Sequence, residues 1–389
     1  MTIALTGGPI LLDGGFVEGR AVLVEGERIA AIVADGDIPA DALRHRLEGR
    51  MLLPGFIDAQ VNGGGGVLFN DSPTVEAIAA IGAAHRRFGT TGFLPTLISD
   101  DLAVVRRGIA AVEEAIARGV PGVLGIHIEG PFLNVDRKGI HDPAKIRSLD
   151  AEGISTVTSL KAGRTLVTLA PEQTTPAMVR KLVDAGIVVA AGHTDGSYAD
   201  IRAALDSGMT GFTHLFNAMS PLRAREPGAV GAALDNLDSW CGMIVDGRHI
   251  DPVTMRIALR CKPLDRFMLV TDAMPSVGMA DKSFMLQGHE VRVVDGVCVN
   301  ADGTLAGSDL DMAGAVRNAV AMLGVPLAAA AHMASRHPAA FLRVDDRIGR
   351  IAPGCRADLV IANDGMTVSE AWIGGAAERY SADERRLTA

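Results

Sequence analysis

The sequence predicts an α/β protein: a (β/α)8 TIM-like barrel with a small β-sandwich domain formed by both chain ends. Three observations point there. Eight short apolar runs alternate with helix-length segments, the pattern of consecutive βα units. The flanking stretches, 1–53 and 343–389, read instead as short strands punctuated by Gly and Asp. Four of the apolar runs end on a carboxylate or an imidazole, where α/β folds place their chemistry. The barrel is therefore expected over residues 54–342. An open doubly wound sheet is the alternative arrangement of the same units.

Length and composition fit this picture. A chain of 389 residues holds a barrel of about 250 residues and a second domain. Nearly half of it, 48%, is apolar, as in a folded enzyme. A net charge of -9 argues against non-specific nucleic-acid binding. The N-terminal residues lack a basic segment and a long apolar core, and no uncharged apolar run reaches the length of a membrane span. A cytoplasmic location with no membrane partner is expected. Cys241, Cys261, Cys298 and Cys355 form no CxxC, so they read as small buried hydrophobes in a reducing compartment.

Taken in order, Ala21–Glu25 and Arg28–Val33 suggest antiparallel strands around Gly26-Glu27. From Pro54 onward the eight expected barrel strands are Gly55–Val61, Gly92–Ile98, Val123–Glu129, Leu166–Ala170, Ile187–His193, Gly211–Asn217, Gly242–Asp246 and Phe267–Asp272. Helical spacing of apolar residues marks Val75–Phe88, Leu102–Ala117, Ala177–Ala185 and Tyr198–Ser207 between them. An insertion follows, about 274–307, with a hairpin expected at Val291–Val294, Asp295-Gly296 and Val297–Val299. Ser308 is expected to cap a helix running to Leu323, with Asp309 and Asp311 in its first turn, and another helix to span Leu327–Phe341. Arg350–Ile361 turns β-like again.

The strand ends bring Glu129, His193, His214 and Asp272 to one barrel mouth. One carboxylate and two imidazoles suit a zinc-like divalent metal and leave a position open. Asp272 is then placed as a general base. Gln60 and Asn62 share a face of the first strand; neutral amides ligate weakly, so one tight metal is expected, not two. The run Gly63–Gly66 lacks the lysine of a P-loop and the spacing of a dinucleotide fingerprint, and reads as a turn. His141, Arg225 and His249 lie in loops after strands. Together they make the mouth locally cationic, which fits an anionic substrate group such as a phosphate.

Longer strings add a resemblance. Leu53–Asp58, Gly125–Leu133, Ala191–Thr194, Thr213–Met219, Val270–Ala273 and Gly303–Ser308 resemble the amidohydrolase superfamily and, within it, the N-acetylglucosamine-6-phosphate deacetylases, along nearly the whole chain. The string from His214 to Met219 is the specific part; Pro54–Asp58 marks only the superfamily. The resemblance implies hydrolysis of the acetamide of N-acetylglucosamine 6-phosphate to glucosamine 6-phosphate and acetate. It implies one divalent metal, zinc or alternatively iron, on Glu129, His193 and His214, with Asp272 as acid/base and His141 near the acetamide. Asn217, Ala218, Arg225, Asp246, Gly247, Arg248 and His249 would bind sugar and phosphate. Ile140, Leu305, Ala306 and Gly307 would complete the pocket, and Gln60 and Asn62 are counted at its edge. A homodimer that lends an arginine to its neighbour's phosphate site is also implied. Competing readings are a related amidohydrolase acting on N-acetylgalactosamine 6-phosphate or another N-acyl or cyclic amide, and a barrel that only binds.

Overall fold

The computed structural model describes residues 1–294, 296–301 and 303–381. Eight parallel strands pair in sequence order. They are β1 (Phe56–Val61), β2 (Thr90–Leu97), β3 (Gly125–Glu129), β4 (Arg164–Leu169), β5 (Val188–Ala191), β6 (Gly211–Phe212), β7 (Trp240–Met243) and β8 (Phe267–Leu269). Just past β8, Ala273 forms an isolated parallel bridge with Val61 at the end of β1. The sheet therefore curls back on itself as a barrel, and the open doubly wound alternative falls away.

Helices sit where 3.6-residue periodicity put them, at Val75–Arg86, Leu102–Ala117, Pro176–Asp184 and Tyr198–Asp206. Their starts are set by caps: Thr74 and Thr175 each accept a backbone N–H, and Ser197 forms a reciprocal capping box with Asp200. Each helix lays its apolar stripe on the barrel. Val105, Ile109 and Val112, for example, join Phe93 and Leu97 in one buried cluster.

Both chain ends build the second unit. One sheet pairs Arg28–Ala34, Arg20–Glu25, Thr2–Thr6 and Leu43–Arg46. The other runs Ala376–Arg379, Val368–Ile373, Leu359–Ala362, Met51–Pro54, Ile10–Leu12 and Gly15–Val17. Leu5, Val22 and Val24 of the first meet Leu52, Leu359, Ile361 and Trp372 of the second in a shared core, which makes the pair a sandwich. Residues 382–389, the end of the expected sandwich segment, lie outside the described residues.

The insertion is a four-stranded antiparallel sheet, Ser283–Leu286, His289–Val294, Val297–Asn300 and Leu305–Ser308. Val294 pairs with Val297 as the hairpin requires; Asp295 of the expected turn lies outside the described residues.

Several expectations are corrected. Asp311, not Ser308, caps the helix Met312–Leu323, accepting from the Gly314 N–H at 2.7 Å. Ser308 instead donates its hydroxyl to the Thr271 carbonyl at 2.5 Å. The expected helix over 327–341 is two, Leu327–Ala334 and Arg336–Phe341. Pro338 is the reason: its ring cannot coexist with a helical Ala334 carbonyl four residues earlier. Cys261 is exposed, whereas the other three cysteines are buried; all four are free. Among the described residues no helix is long and apolar enough to cross a membrane.

Candidate active site

Glu129 is the last residue of β3, but His193, His214 and Asp272 lie past the ends of β5, β6 and β8. The apolar runs had suggested that the strands extend to them. Instead all three take left-handed backbone, with φ of 48°, 32° and 53°. Phe216 and Ala218 do the same at 77° and 50°. Such conformations are costly for residues with a Cβ and persist only where surroundings enforce them. Here the Thr194 N–H holds the Ala218 carbonyl at 3.0 Å, and the Asn217 side chain holds the His214 carbonyl at 3.1 Å.

The result is a tight convergence. His214 Nε2 lies 2.8 Å from Glu129 Oε1, His193 Nε2 lies 3.3 Å from the same oxygen, and the two Nε2 atoms are 3.1 Å apart. His193 Nδ1 donates to the Arg137 carbonyl at 2.9 Å, so in the neutral ring Nε2 carries a lone pair. An anionic oxygen and imidazole nitrogens aimed at one point are a cation's donor set. The spacings, 2.8 to 3.3 Å, are at or somewhat below the edge of about 3.3 Å that a tetrahedron with zinc bonds of about 2.0–2.1 Å would have. Among the described residues no other cluster of His, Cys, Asp and Glu meets this test. Burial alone would raise Glu129, but the close approach of the two imidazoles holds it well below the usual carboxylate range.

Gln60 fills the space between the acids. Its Nε2 is 3.1 Å from Glu129 Oε1, from Glu129 Oε2 and from Asp272 Oδ1. A neutral amide thus occupies the position flanked by carboxylate oxygens where a second cation would otherwise be drawn. Asn62 donates to Asp272 Oδ1 at 2.6 Å. Burial, and then the charge of Glu129, raise Asp272 to about 6.

These groups open into a cavity of about 280 Å³. Of the residues singled out in the sequence, it is lined by Asn62, Glu129, Ile140, His141, His193, His214, Asn217, Ala218, His249, Asp272, Leu305 and Gly307. Gln60 lies behind it and touches the carboxylates. Ala306 points away because residues of a strand alternate, and it is fully buried. Gly307, at φ 68°, admits no side chain: a Cβ there would lie 2.8 Å from the Asp272 carbonyl. Asp246 is not in the lining. Its carboxylate receives the backbone N–H groups of Arg248 and His249 and holds His249 Nδ1 at 2.6 Å. Gly247, Arg248 and Arg225 are not in the lining either, and both arginines are exposed. Ile98, Gly139, Met274 and Thr304 complete the wall and carried no chemical signal in the sequence.

His141 is held by Ser99, which the sequence did not single out. The Ser99 N–H donates to His141 Nδ1 at 3.1 Å, with the Ser99 hydroxyl 2.8 Å from the same nitrogen. Burial, and then the neighbouring His193, keep His141 well below the usual histidine range. Within the glycine run only Gly65-Gly66 make the turn, while Gly63–Gly64 form a short strand antiparallel to Val67–Leu68; it is not a phosphate cradle, because the N–H groups of Gly63, Gly65 and Gly66 are taken by the carbonyls of Ala273, Val277 and Pro275.

A model of the amidohydrolase family matches residues 51–377. An N-acetylgalactosamine-6-phosphate deacetylase of Shewanella is 40% identical over 98% of this chain and 97% of its own length. An N-acetylglucosamine-6-phosphate deacetylase of Haemophilus influenzae is 36% identical over 88% of this chain and 90% of its own. The crystal structure of N-acetylglucosamine-6-phosphate deacetylase from Pasteurella multocida superposes with a TM-score of 0.95 at 33% identity, covering 98% of this chain and 100% of that one.

Proposed function

The chain belongs to the amidohydrolase family, and from that premise we propose that it hydrolyses the acetamide of N-acetyl-D-glucosamine 6-phosphate to the free amine and acetate. The observation that carries the reading is the meeting, in one cavity, of a cation donor set with Asp272 and an imidazole positioned to donate a hydrogen bond.

Glu129, His193 and His214 would hold one divalent cation, zinc or alternatively iron, which supplies Lewis-acid polarisation of the acetamide carbonyl and acidifies water. Asp272 takes the proton of the attacking water while the new C–O bond forms. Nε2–H of His141 donates to the oxygen on which charge develops. Asp272 then returns the proton to the nitrogen as the C–N bond breaks, so that acetate and the amine leave. Asn217, Ala218 and His249 would face the sugar, with Arg225 and the Asp246–His249 turn at the phosphate. Gln60 between the carboxylates supports a single cation. The reading extends to a homodimer, as the family resemblance implies, and to the cytoplasm, where a sugar phosphate is retained by its charge. The catalytic barrel is taken as 54–342 and the sandwich as 1–53 with 343–389.

The second reading is the 4-epimer, N-acetylgalactosamine 6-phosphate, favoured by the relatives of that name at 40% and 36% identity. Assaying both sugar phosphates in parallel separates the two. The first reading expects a higher kcat/KM for the gluco epimer, and a reversed preference transfers the assignment to the galacto epimer.

A further inference from the structure

Asp58 closes the string Leu53–Asp58, and neither the metal cluster nor the cavity lining uses it. It is 0% exposed, at the barrel seam between β1 and β8. Its Oδ1 accepts the Gln60 N–H at 3.1 Å and the Thr271 N–H at 3.3 Å, and its Oδ2 accepts the Thr271 hydroxyl at 2.5 Å. Among the described residues the two strands share no continuous ladder there. They meet in the Val61–Ala273 bridge, through the bonds from Asp272 N–H to Gln60 O and from Asn62 N–H to Ala273 O, each 3.0 Å, and through the Gly63 N–H to Ala273 O at 2.9 Å. A carboxylate bonded to both sides of so sparse a seam fixes where the next residue, Asp272, emerges.

Asp272 needs such fixing because its φ is 53°, a left-handed conformation that a residue with a Cβ keeps only where its surroundings hold it. From the other side Ser308 clamps the same turn. Its hydroxyl donates to Thr271 O at 2.5 Å and its N–H to Asp272 O at 2.9 Å. We propose that Asp58 is a positioning residue for Asp272, tying Gln60 and Thr271 together so that the Asp272 carboxylate is presented to the cavity. The inference rests on the reading of Asp272 as the acid/base, and it concerns geometry that exists before any substrate binds. An amide can replace the carboxylate: its oxygen accepts the two N–H groups, and the Thr271 hydroxyl turns to accept from its NH2.

The test compares Asp58→Ala and Asp58→Asn in the metal-loaded full chain. Asp58→Ala is expected to lower kcat at least ~30-fold, within the range of lost acid–base positioning, with KM within about threefold and metal content unchanged. Asp58→Asn is expected to restore kcat to within about fivefold of the parent. A folded Asp58→Ala protein with parental kcat overturns the proposal. So does one that loses metal and KM together with kcat, which is the mark of a merely structural role. Should Asp58→Ala not fold, Thr271→Val, which removes the hydroxyl tie to Asp58 together with that hydroxyl's acceptance of the Ala273 N–H at 3.2 Å, is expected to lower kcat about tenfold at constant KM; an unchanged kcat overturns the proposal. A crystal structure of whichever variant folds gives a substrate-independent reading. Asp272 is expected to leave its contact with Asn62, and an unmoved Asp272 contradicts the inference. Absence of deacetylation by the parent would instead count against the function proposed above.

Discussion

The backbone N–H of Ser99 donates to Nδ1 of His141 at 3.1 Å. A backbone amide cannot accept, so the nitrogen facing it must carry the lone pair, and the neutral ring holds its proton on Nε2. That arrangement makes His141 a hydrogen-bond donor. His141→Gln, whose terminal NH2 reaches the place of Nε2, is therefore expected to keep more activity than His141→Asn, whose amide reaches only the place of Nδ1. The Asn variant should lose about 10²–10³ in kcat, as when an oxyanion donor is removed. Equal loss in both variants, measured at saturating substrate, would remove the donor role.

Asp272→Asn should lower kcat by at least ~10² while metal content stays that of the parent. Near-normal turnover by the metal-loaded variant would take Asp272 out of the reaction. The same carboxylate gives a pH signature. It accepts a proton only when ionised, and burial raises it to about 6. Activity should thus fall as pH drops through the carboxyl's pKa. A nearby cation favours the ionised form, so the acid limb of the loaded enzyme is expected at or below about 6.

Arg225→Ala should act on binding. Arg225 is exposed and outside the cavity lining, so kcat is expected to hold while KM for the phosphorylated sugar rises. An unchanged KM would count against a phosphate role for Arg225.

Acid should destabilise the fold through histidines remote from the metal cluster. Burial lowers His85 and His337 to about 4. Their Nε2 and Nδ1 atoms donate to the carbonyls of Gly63 and Phe267, respectively. Both are neutral when folded, while the unfolded chain protonates them near the ordinary 6.5. The unfolded state binds more protons in this window, so stability falls as pH drops from 6.5 toward 4, by about 2 kcal/mol for each histidine at pH 5. Denaturant melts between pH 7 and 5 measure this, and His337→Gln should flatten the dependence. A slope identical to the parent's would refute the assignment to His337.

What the sequence revealed follows from how each signal is encoded. Glu129, His193 and Asp272 stood out because each is a polar residue closing an apolar run, and His214 because it is an imidazole within the run Gly211–Asn217. The runs overstated the strands because residues such as Gly192 and Val270 stay apolar and buried through the left-handed turns that follow. Ser308 and Asp311 are both capping residues, and only the bond to Gly314 decides between them. Ser99 was illegible because it acts through its backbone N–H, which every non-proline residue has. The role of Gln60 depends on Glu129 and Asp272, 69 and 212 residues away in sequence. Ile98 and Met274 line the cavity as ordinary apolar residues.

The most direct test is acetate release from N-acetylglucosamine 6-phosphate and from the unphosphorylated sugar, with metal content determined on the same preparation. The account predicts rapid release from the phosphate alone, at about one cation per chain. A protein fully loaded with metal that releases no acetate from the sugar phosphate would contradict it.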